Sequence, residues 1–435
     1  MTYPEAIAWL ESLQPHVIRP GLERVRRLLG RLGEPQETFP SVLIAGTNGK
    51  GSVAAFLSSI LRRAGYAPGV YTSPHLVRFE ERIVVGDRTI SEDQVAGLAR
   101  EVRAAIEAEE GGGGERPTYF EATTALAFLH FSRARVPLAV LEVGMGGLHD
   151  ATNVVRPLAC ALTPVALDHM QWLGSDLAAI ARQKAGIIKP GVPVVVSPQE
   201  PAALRVILEA AAGAGAPVLT VEACDLRPAP AGEAPEFADP PVFSLATPGG
   251  GRWDRIVLAL RGDHQVGNAA AAVLLSERLA GAGFDRIEPA TVAAGLASAR
   301  WPGRLELIPG RPDLLLDGAH NPAGCATLAA YLRRHQAGRR VTLLFGAMHD
   351  KPAGEMLRIL APLAASIVVT SIPTARGTPA EELLELASGS HSGVRAEADP
   401  LEALDFLRRA PETEALGVIT GSLYLVGEVR RALRA

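Results

Sequence analysis

The chain has 435 residues, 48% of them hydrophobic and 21% charged, a net charge of −4 and three cysteines. That length exceeds what one hydrophobic core usually serves, so two domains are expected, in a chain of globular composition. A net negative charge argues against binding nucleic acid through a concentrated positive surface, and no apolar run is long enough to span a bilayer.

Taken in chain order, the start MTYPEAIAWLESL lacks the basic residues and apolar stretch of a secretory signal, so a cytoplasmic protein is expected. Arg24, Arg26 and Arg27 read as a solvated helix face. Short runs with the character of buried strands follow at 41–45, 138–143, 158–163 and 192–196. Helical stretches succeed them, among them SVAAFLSSILRRAG after Gly51 and AALRVILEAAAGAG after Pro201. Gly111 to Gly114 read as a loop tip. Residues 222–255, rich in Pro, Ala and Gly, read as a hairpin or surface excursion within the first domain. A second α/β series begins after Trp301 to Arg304, with strands expected in DLLLDGAH, RRVTLLFGAM, ASIVVTSIP and ALGVITGS. Cys160, Cys224 and Cys325 form no CxxC pair and read as buried thiols of a reducing compartment.

The pattern predicts an α/β protein: an N-terminal P-loop ATPase-like domain with a mostly parallel sheet, then a smaller Rossmann-like C-terminal α/β domain. The boundary falls between Gly295 and Pro302, dividing the chain into 1–298 and 299–435.

The strand at 41–45 runs into Gly46, Thr47, Asn48, Gly49, Lys50, Gly51 and Ser52, and a helix follows. Strand, glycine-rich turn and helix start together make a phosphate cradle from backbone N–H groups. Lys50 is placed to neutralise β- and γ-phosphates, and the Ser52 hydroxyl to reach Mg2+. Two departures from the common motif stand out: the glycine spacing is shorter, and Gly51 separates the lysine from its hydroxyl residue. For a metal, Glu121, Glu142 and His169 compete; the latter two sit at expected strand ends, where α/β sheets bind ligands. Lys184 lies near the end of a largely apolar helix. It reads either as a snorkelling surface lysine or as a desolvated one with a lowered pKa.

The segments AGTNGKGS, SPHLVRFEERI, TYFEATTALAF, LEVGMGGLHDATN, LDHMQWLG, ARQKAGIIKPG, GDHQVGNAAAA, RWPGRLE, LLDGAHNPAG, LFGAMHDKP and TGSLYLVGEVR occur in that order. Together they resemble the folylpolyglutamate synthase/dihydrofolate synthase family of the Mur-ligase superfamily, over almost the whole chain. The resemblance implies an ATP-dependent ligase that adds L-glutamate to folates, and also to dihydropteroate to make dihydrofolate, through an acyl phosphate. The first domain would be the ATP-binding central domain and the second the glutamate-ligase domain. The protein would be a monomer with small-molecule substrates and neither nucleic-acid nor membrane partners.

The same resemblance implies roles for individual residues. Ser52, Glu142 and His169 would hold Mg2+, and Lys184 would be carbamylated beside a second Mg2+. Asn268, Arg304, Asp317 and His320 would contact the nucleotide, with Lys50, His169, Lys184, Asp317 and His320 as the catalytic set. Ser73, Pro74, His75 and Arg82 would belong to a mobile folate-side loop. Thr118, Tyr119, Phe120 and Glu121 would line the pterin or pteroate pocket, with Asp150 and Ala151 as dihydropteroate contacts and His149 beside them. Leu148 and His149 stand where the family has an Arg-Leu pair, a difference that bears on which folate or chain length is preferred. Asp317 and His320 would act only once the second domain closes about the 296–303 linker. Two other readings carry different expectations. A peptidoglycan precursor ligase would need a UDP-sugar domain ahead of Gly46, and a nucleotide-binding regulatory protein would turn over ATP without any pterin.

Overall fold

A computed structural model describes residues 1–13, 20–110, 115–228, 239–409 and 415–434; the expected loop tip at Gly111 to Gly114 lies outside them. The first sheet comprises β1 (Ser41–Ala45), β2 (Gly69–Tyr71), β3 (Ile83–Val85), β4 (Arg88–Thr89), β5 (Ala139–Glu142), β6 (Ala159–Leu162), β7 (Val194–Val196) and β8 (Val218–Thr220). Its eight strands run in the order β4-β3-β2-β5-β1-β6-β7-β8. All pairings are parallel except β2 with β3 and β3 with β4. All of β1 is buried, and its residues alternate between two cores. Leu43 and Ala45 face one cluster, Val42 and Ile44 the other. That is the period of a strand covered on both faces by helices.

Four of these strands coincide with the apolar runs of the sequence. The other four are three residues long or shorter, too brief to display a period. Residues 222–255 hold more than a hairpin or surface excursion. They contribute a three-stranded antiparallel sheet, β9 (Asp225–Pro228), β10 (Val242–Ala246) and β11 (Arg252–Val257), in the order β11-β10-β9. Phe243, Leu245, Trp253 and Ile256 project from it into the core behind β1.

The third sheet has six strands: β12 (Glu306–Ile308), β13 (Asp313–Leu316), β14 (Arg340–Phe345), β15 (Ser366–Thr370), β16 (Val394–Glu397) and β17 (Ala415–Thr420). Their order is β12-β13-β17-β14-β15-β16, parallel throughout apart from β12. The four strands expected there are present, and short β12 and β16 extend the two edges. Among the described residues no helix is long and apolar enough to cross a membrane. The three cysteines are buried and unpaired, and burial pushes the Cys160 and Cys325 thiols up to about 12.

The arginine cluster departs from expectation at one residue. Arg26 and Arg27 are exposed, whereas Arg24 is buried on helix Glu23–Arg31 and grips Glu121 with two nitrogens, at 3.2 and 3.1 Å. This pair ties the N-terminal helices to helix Tyr119–Ala134. Removing one partner leaves a buried charge, so Arg24→Leu is expected to destabilise the first domain by about 3–5 kcal/mol. Urea unfolding of Arg24→Leu, Glu121→Leu and the double variant checks this; the double variant should recover most of the loss.

Candidate active site

Because β1 lies between β5 and β6 in a parallel sheet, the carboxyl ends of all three strands open on the same edge. The turn after β1 is the glycine-rich loop, and helix Lys50–Arg63 starts from Gly49. Lys50 Nζ folds back to donate to the carbonyls of Gly46 and Thr47, at 3.1 and 2.9 Å. Lys184, on helix Leu177–Ala185, is only 4% exposed, and its Nζ donates to the same Gly46 oxygen at 2.8 Å. It is therefore a buried lysine and not a snorkelling one. Burial, reinforced by the Lys50 charge, pulls its pKa down from 10.5 to about 7. Burial also lowers Lys50, against the opposing pull of Glu142 and Asp168.

From the end of β5, Glu142 is 5% exposed and accepts the Ser73 amide on Oε2 at 3.1 Å. Burial raises its carboxyl above the usual range, with Lys50 working the other way. Of the residues expected to form a folate-side loop, Arg82 donates from Nε to His75 Nδ1 at 2.8 Å, and its guanidinium sits 5.5 Å from the Tyr119 ring centroid. Phe120 packs 6.0 Å from Tyr71. Two acidic residues of that region have their carboxylates engaged within the protein. Glu121 is held by Arg24 and accepts the Thr118 amide at 2.7 Å in a capping box. Asp150 accepts the amides of Met145 and Thr152 and the Thr152 hydroxyl. Ala151 is buried beside it, and Leu148 and His149 are exposed. Leu148 is laid over Gly186, just past the end of the Lys184 helix.

The loop after β6 brings Asp168 and His169, and the second domain meets them there. Asn321 and Asn48 exchange amide hydrogen bonds at 3.2 and 3.1 Å. Asn321 Nδ2 also donates to Asp168 Oδ2 at 3.1 Å. Lys351 Nζ donates to Asp168 Oδ1 at 2.5 Å, and His320 Nε2 stands 3.7 Å from Oδ2. The second domain thus rests on the phosphate loop, the arrangement that closure about the 296–303 linker would produce. Burial holds His169 and His320 down to about 4, so both imidazoles are neutral near pH 7. Burial alone would raise Asp168, yet it is held below the carboxylate range. With the imidazoles neutral, Lys351 is its standing counter-charge. Asp317 is fixed by the amides of Leu305 and Ala319 at 2.9 and 3.0 Å. Burial raises its carboxyl, against the pull of Arg304.

Two contacts explain the unusual loop sequence. The Ser52 hydroxyl accepts from Gln265 Nε2 at 3.3 Å, and Gln265 Oε1 accepts from Asn268 Nδ2 at 3.0 Å. A Cβ on Gly51 would lie 2.5 Å from the Trp301 indole, so the interdomain linker packs where any larger residue would stand. The sequence reading missed Asp168, Gln265, Trp301, Asn321 and Lys351 as individual residues, although each lies in a segment that stood out. Among the described residues, no three His, Cys, Asp or Glu side chains group closely enough to hold a metal on their own. Mg2+ needs less, taking one or two protein oxygens together with phosphates and water. The buried Glu142 carboxylate, with only Oε2 engaged by a described protein donor, fits that demand.

A phosphate loop on a parallel sheet, met by residues of a second α/β unit, defines a two-domain ATP-dependent ligase of the Mur type. Residues 44–276 match the Mur ligase middle domain and residues 303–423 the Mur ligase glutamate ligase domain. The chain is 36% identical to the dihydrofolate synthase/folylpolyglutamate synthase of Bacillus subtilis, over 99% of both chains. It is 34% identical to the folylpolyglutamate synthase of Lacticaseibacillus casei, covering 100% of this chain and 99% of that one. The solved structure of Mycobacterium tuberculosis folylpolyglutamate synthase complexed with ADP superposes with a TM-score of 0.88 at 31% identity, over 100% of this chain and 98% of that one. The chain belongs to the dihydrofolate synthase/folylpolyglutamate synthase family.

Gly51→Ala is expected to force the Trp301 ring away from the loop and weaken ATP binding by about 1–3 kcal/mol, the usual cost of overpacking. Calorimetric titration with ATP checks this, and adding Trp301→Ala should restore part of the affinity.

Proposed function

We propose that this protein condenses L-glutamate with the terminal carboxylate of folates, and with dihydropteroate, at the expense of ATP. The observation that carries the reading is the convergence of Lys50, Lys184, Glu142 and the Asp168–Lys351–Asn321 group on one end of the first sheet. A carboxylate and an amine do not condense unaided, so the acceptor carboxylate takes the γ-phosphoryl group. The resulting acyl phosphate is attacked by the glutamate amine, and inorganic phosphate leaves. Positioning and fixed charge carry such transfers. Lys50, now tied to Gly46 and Thr47, would turn to the β- and γ-phosphates. Asn268, Arg304, Asp317 and His320 would hold the nucleotide from the second side, and the docked second domain would keep water out. Mg2+, held by Ser52, Glu142 and His169, would supply neutralisation of the phosphate charge.

Ser73, Pro74, His75, Arg82, Tyr119 and Phe120 would frame the acceptor. Glu121 and Asp150, whose carboxylates are engaged by protein donors, would shape that pocket indirectly. The domain division is proposed at 298/299, and the protein is read as a cytoplasmic monomer.

Lys184 is proposed to be carbamylated, which would turn a strained cation into a carboxylate-like ligand. Its pKa of about 7 leaves about half of the amine neutral there and able to add CO2. The sign of the linkage follows from the same shift. Between about 7 and 10.5 the unfolded chain binds a proton that the folded chain does not, so for the unmodified lysine stability rises with pH through that window.

The test is mass analysis of products formed from Mg·ATP and L-glutamate with dihydropteroate, with tetrahydrofolate, and without a pterin. One glutamyl residue added to both acceptors is the expected result; ADP release indifferent to pterin would overturn it. Lys184→Ala is expected to lose most of the activity, with partial return on adding a small free carboxylate and none with bicarbonate. Glu142→Gln should raise the half-saturating Mg2+ concentration by about tenfold, the loss reported for disturbed metal shells. Glu121→Gln should leave it near wild type, which a metal titration of both variants checks.

A further inference from the structure

The segment from Ser73 to Arg78 is held at three places. At one end the Ser73 amide donates to Glu142. At the other, the amides of Leu76, Val77 and Arg78 all donate to the Glu81 carboxylate, at 2.8, 3.2 and 3.2 Å. Between these anchors, Leu76 packs against the cluster of the second domain that includes Leu425, Val426 and Val429. The fit is set by Gly427, on helix Leu423–Ala432, where a Cβ would lie 1.9 Å from the Leu76 carbonyl oxygen. Arg431 of the same helix donates to the Val77 carbonyl at 3.5 Å. The segment also forms one wall of a cavity of about 480 Å³, lined by His75, Val77, Phe79, Tyr119 and Arg431.

We propose that Leu76 and Gly427 are positioning residues that transmit docking of the second domain to Glu142 and to the wall of the acceptor cavity. The assignment of that cavity to the pterin-bearing acceptor, and of Glu142 to Mg2+, rests on the function proposed above. The contact is backbone against glycine, so trimming the Leu76 side chain cannot make room for a larger residue at 427. With alanine there, the Leu76 carbonyl must retreat by about 1 Å before it reaches 3.0 Å. Only Pro74 and His75 separate Leu76 from Ser73, and the Glu81 anchor leaves little slack to absorb that shift. A hydrogen bond of 3.1 Å does not survive a displacement of that size unchanged.

The experiment compares wild type, Gly427→Ala and Leu76→Ala by steady-state kinetics and by amide hydrogen exchange of residues 73–78 with Mg·ATP bound. Gly427→Ala is expected to raise both the KM for the pterin acceptor and the half-saturating Mg2+ by about tenfold, a typical coupling between sites. The KM for ATP should stay near wild type, and the amides of Leu76 to Arg78 should exchange faster. Leu76→Ala, which leaves the second domain's own core in place, should move the same readouts in the same direction by less. Unchanged acceptor and Mg2+ constants in both variants overturn the proposal, as does a loss confined to kcat. Were wild type to turn over no pterin acceptor, the function proposed above would fail on its own. Amide exchange and Mg2+ titration of nucleotide binding would still decide the docking, because neither needs a pterin.

Discussion

Two lysine side chains converge on one backbone carbonyl. Lys50 and Lys184 both donate to the Gly46 oxygen, and burial penalises each ammonium. Two carbonyl dipoles, those of Gly46 and Thr47, do not compensate two desolvated ammonium groups. The site therefore favours negative charge, and the Glu142 and Asp168 carboxylates both pull Lys50 toward its charged form. Burial, with the Lys50 charge adding to it, holds Lys184 down to about 7. Burial lowers Lys50 as well, while Glu142 and Asp168 pull the other way.

The topology makes this arrangement unavoidable. With β1 between β5 and β6, the ends of those neighbours lie on either side of the loop. The second domain closes the remaining side. Asn321 caps helix Pro322–His335 with the same oxygen that accepts from Asn48, so a helix start of one domain is fastened to the phosphate loop of the other. Asp168 and Lys351 complete the clasp across the same junction. His320 stands at the same junction, 3.7 Å from Asp168.

The parts legible in the sequence were those written locally. Strand, glycine loop and helix start are contiguous between Ser41 and Ser52, and the four apolar strands of the first sheet announce themselves by composition. Lys184 could be placed on an apolar helix, but its burial depends on Gly46, 138 positions away. The pair of Arg24 with Glu121 spans 97 positions and that of Asp168 with Lys351 spans 183; no periodicity encodes such partners. The sheet of β9 to β11 escaped for another reason. Its strands do not alternate cleanly, since Val242, Phe243 and Leu245 are buried in β10 but only Trp253 and Ile256 in β11, within a stretch whose proline and glycine content reads as loop. The Gly51 departure was visible as an oddity, and only the position of Trp301 gives it a cause.

The proposed carbamylation of Lys184 requires that burial beside Lys50 leave its amine neutral enough to react with CO2. The most direct measurement is 13C NMR of the protein equilibrated with 13C-labelled bicarbonate, for wild type and Lys184→Ala. The account predicts one carbamate resonance in wild type that weakens as the pH falls below about 7 and is absent from the alanine variant. A wild-type spectrum without that resonance at higher pH, or one that the alanine variant retains, would contradict it.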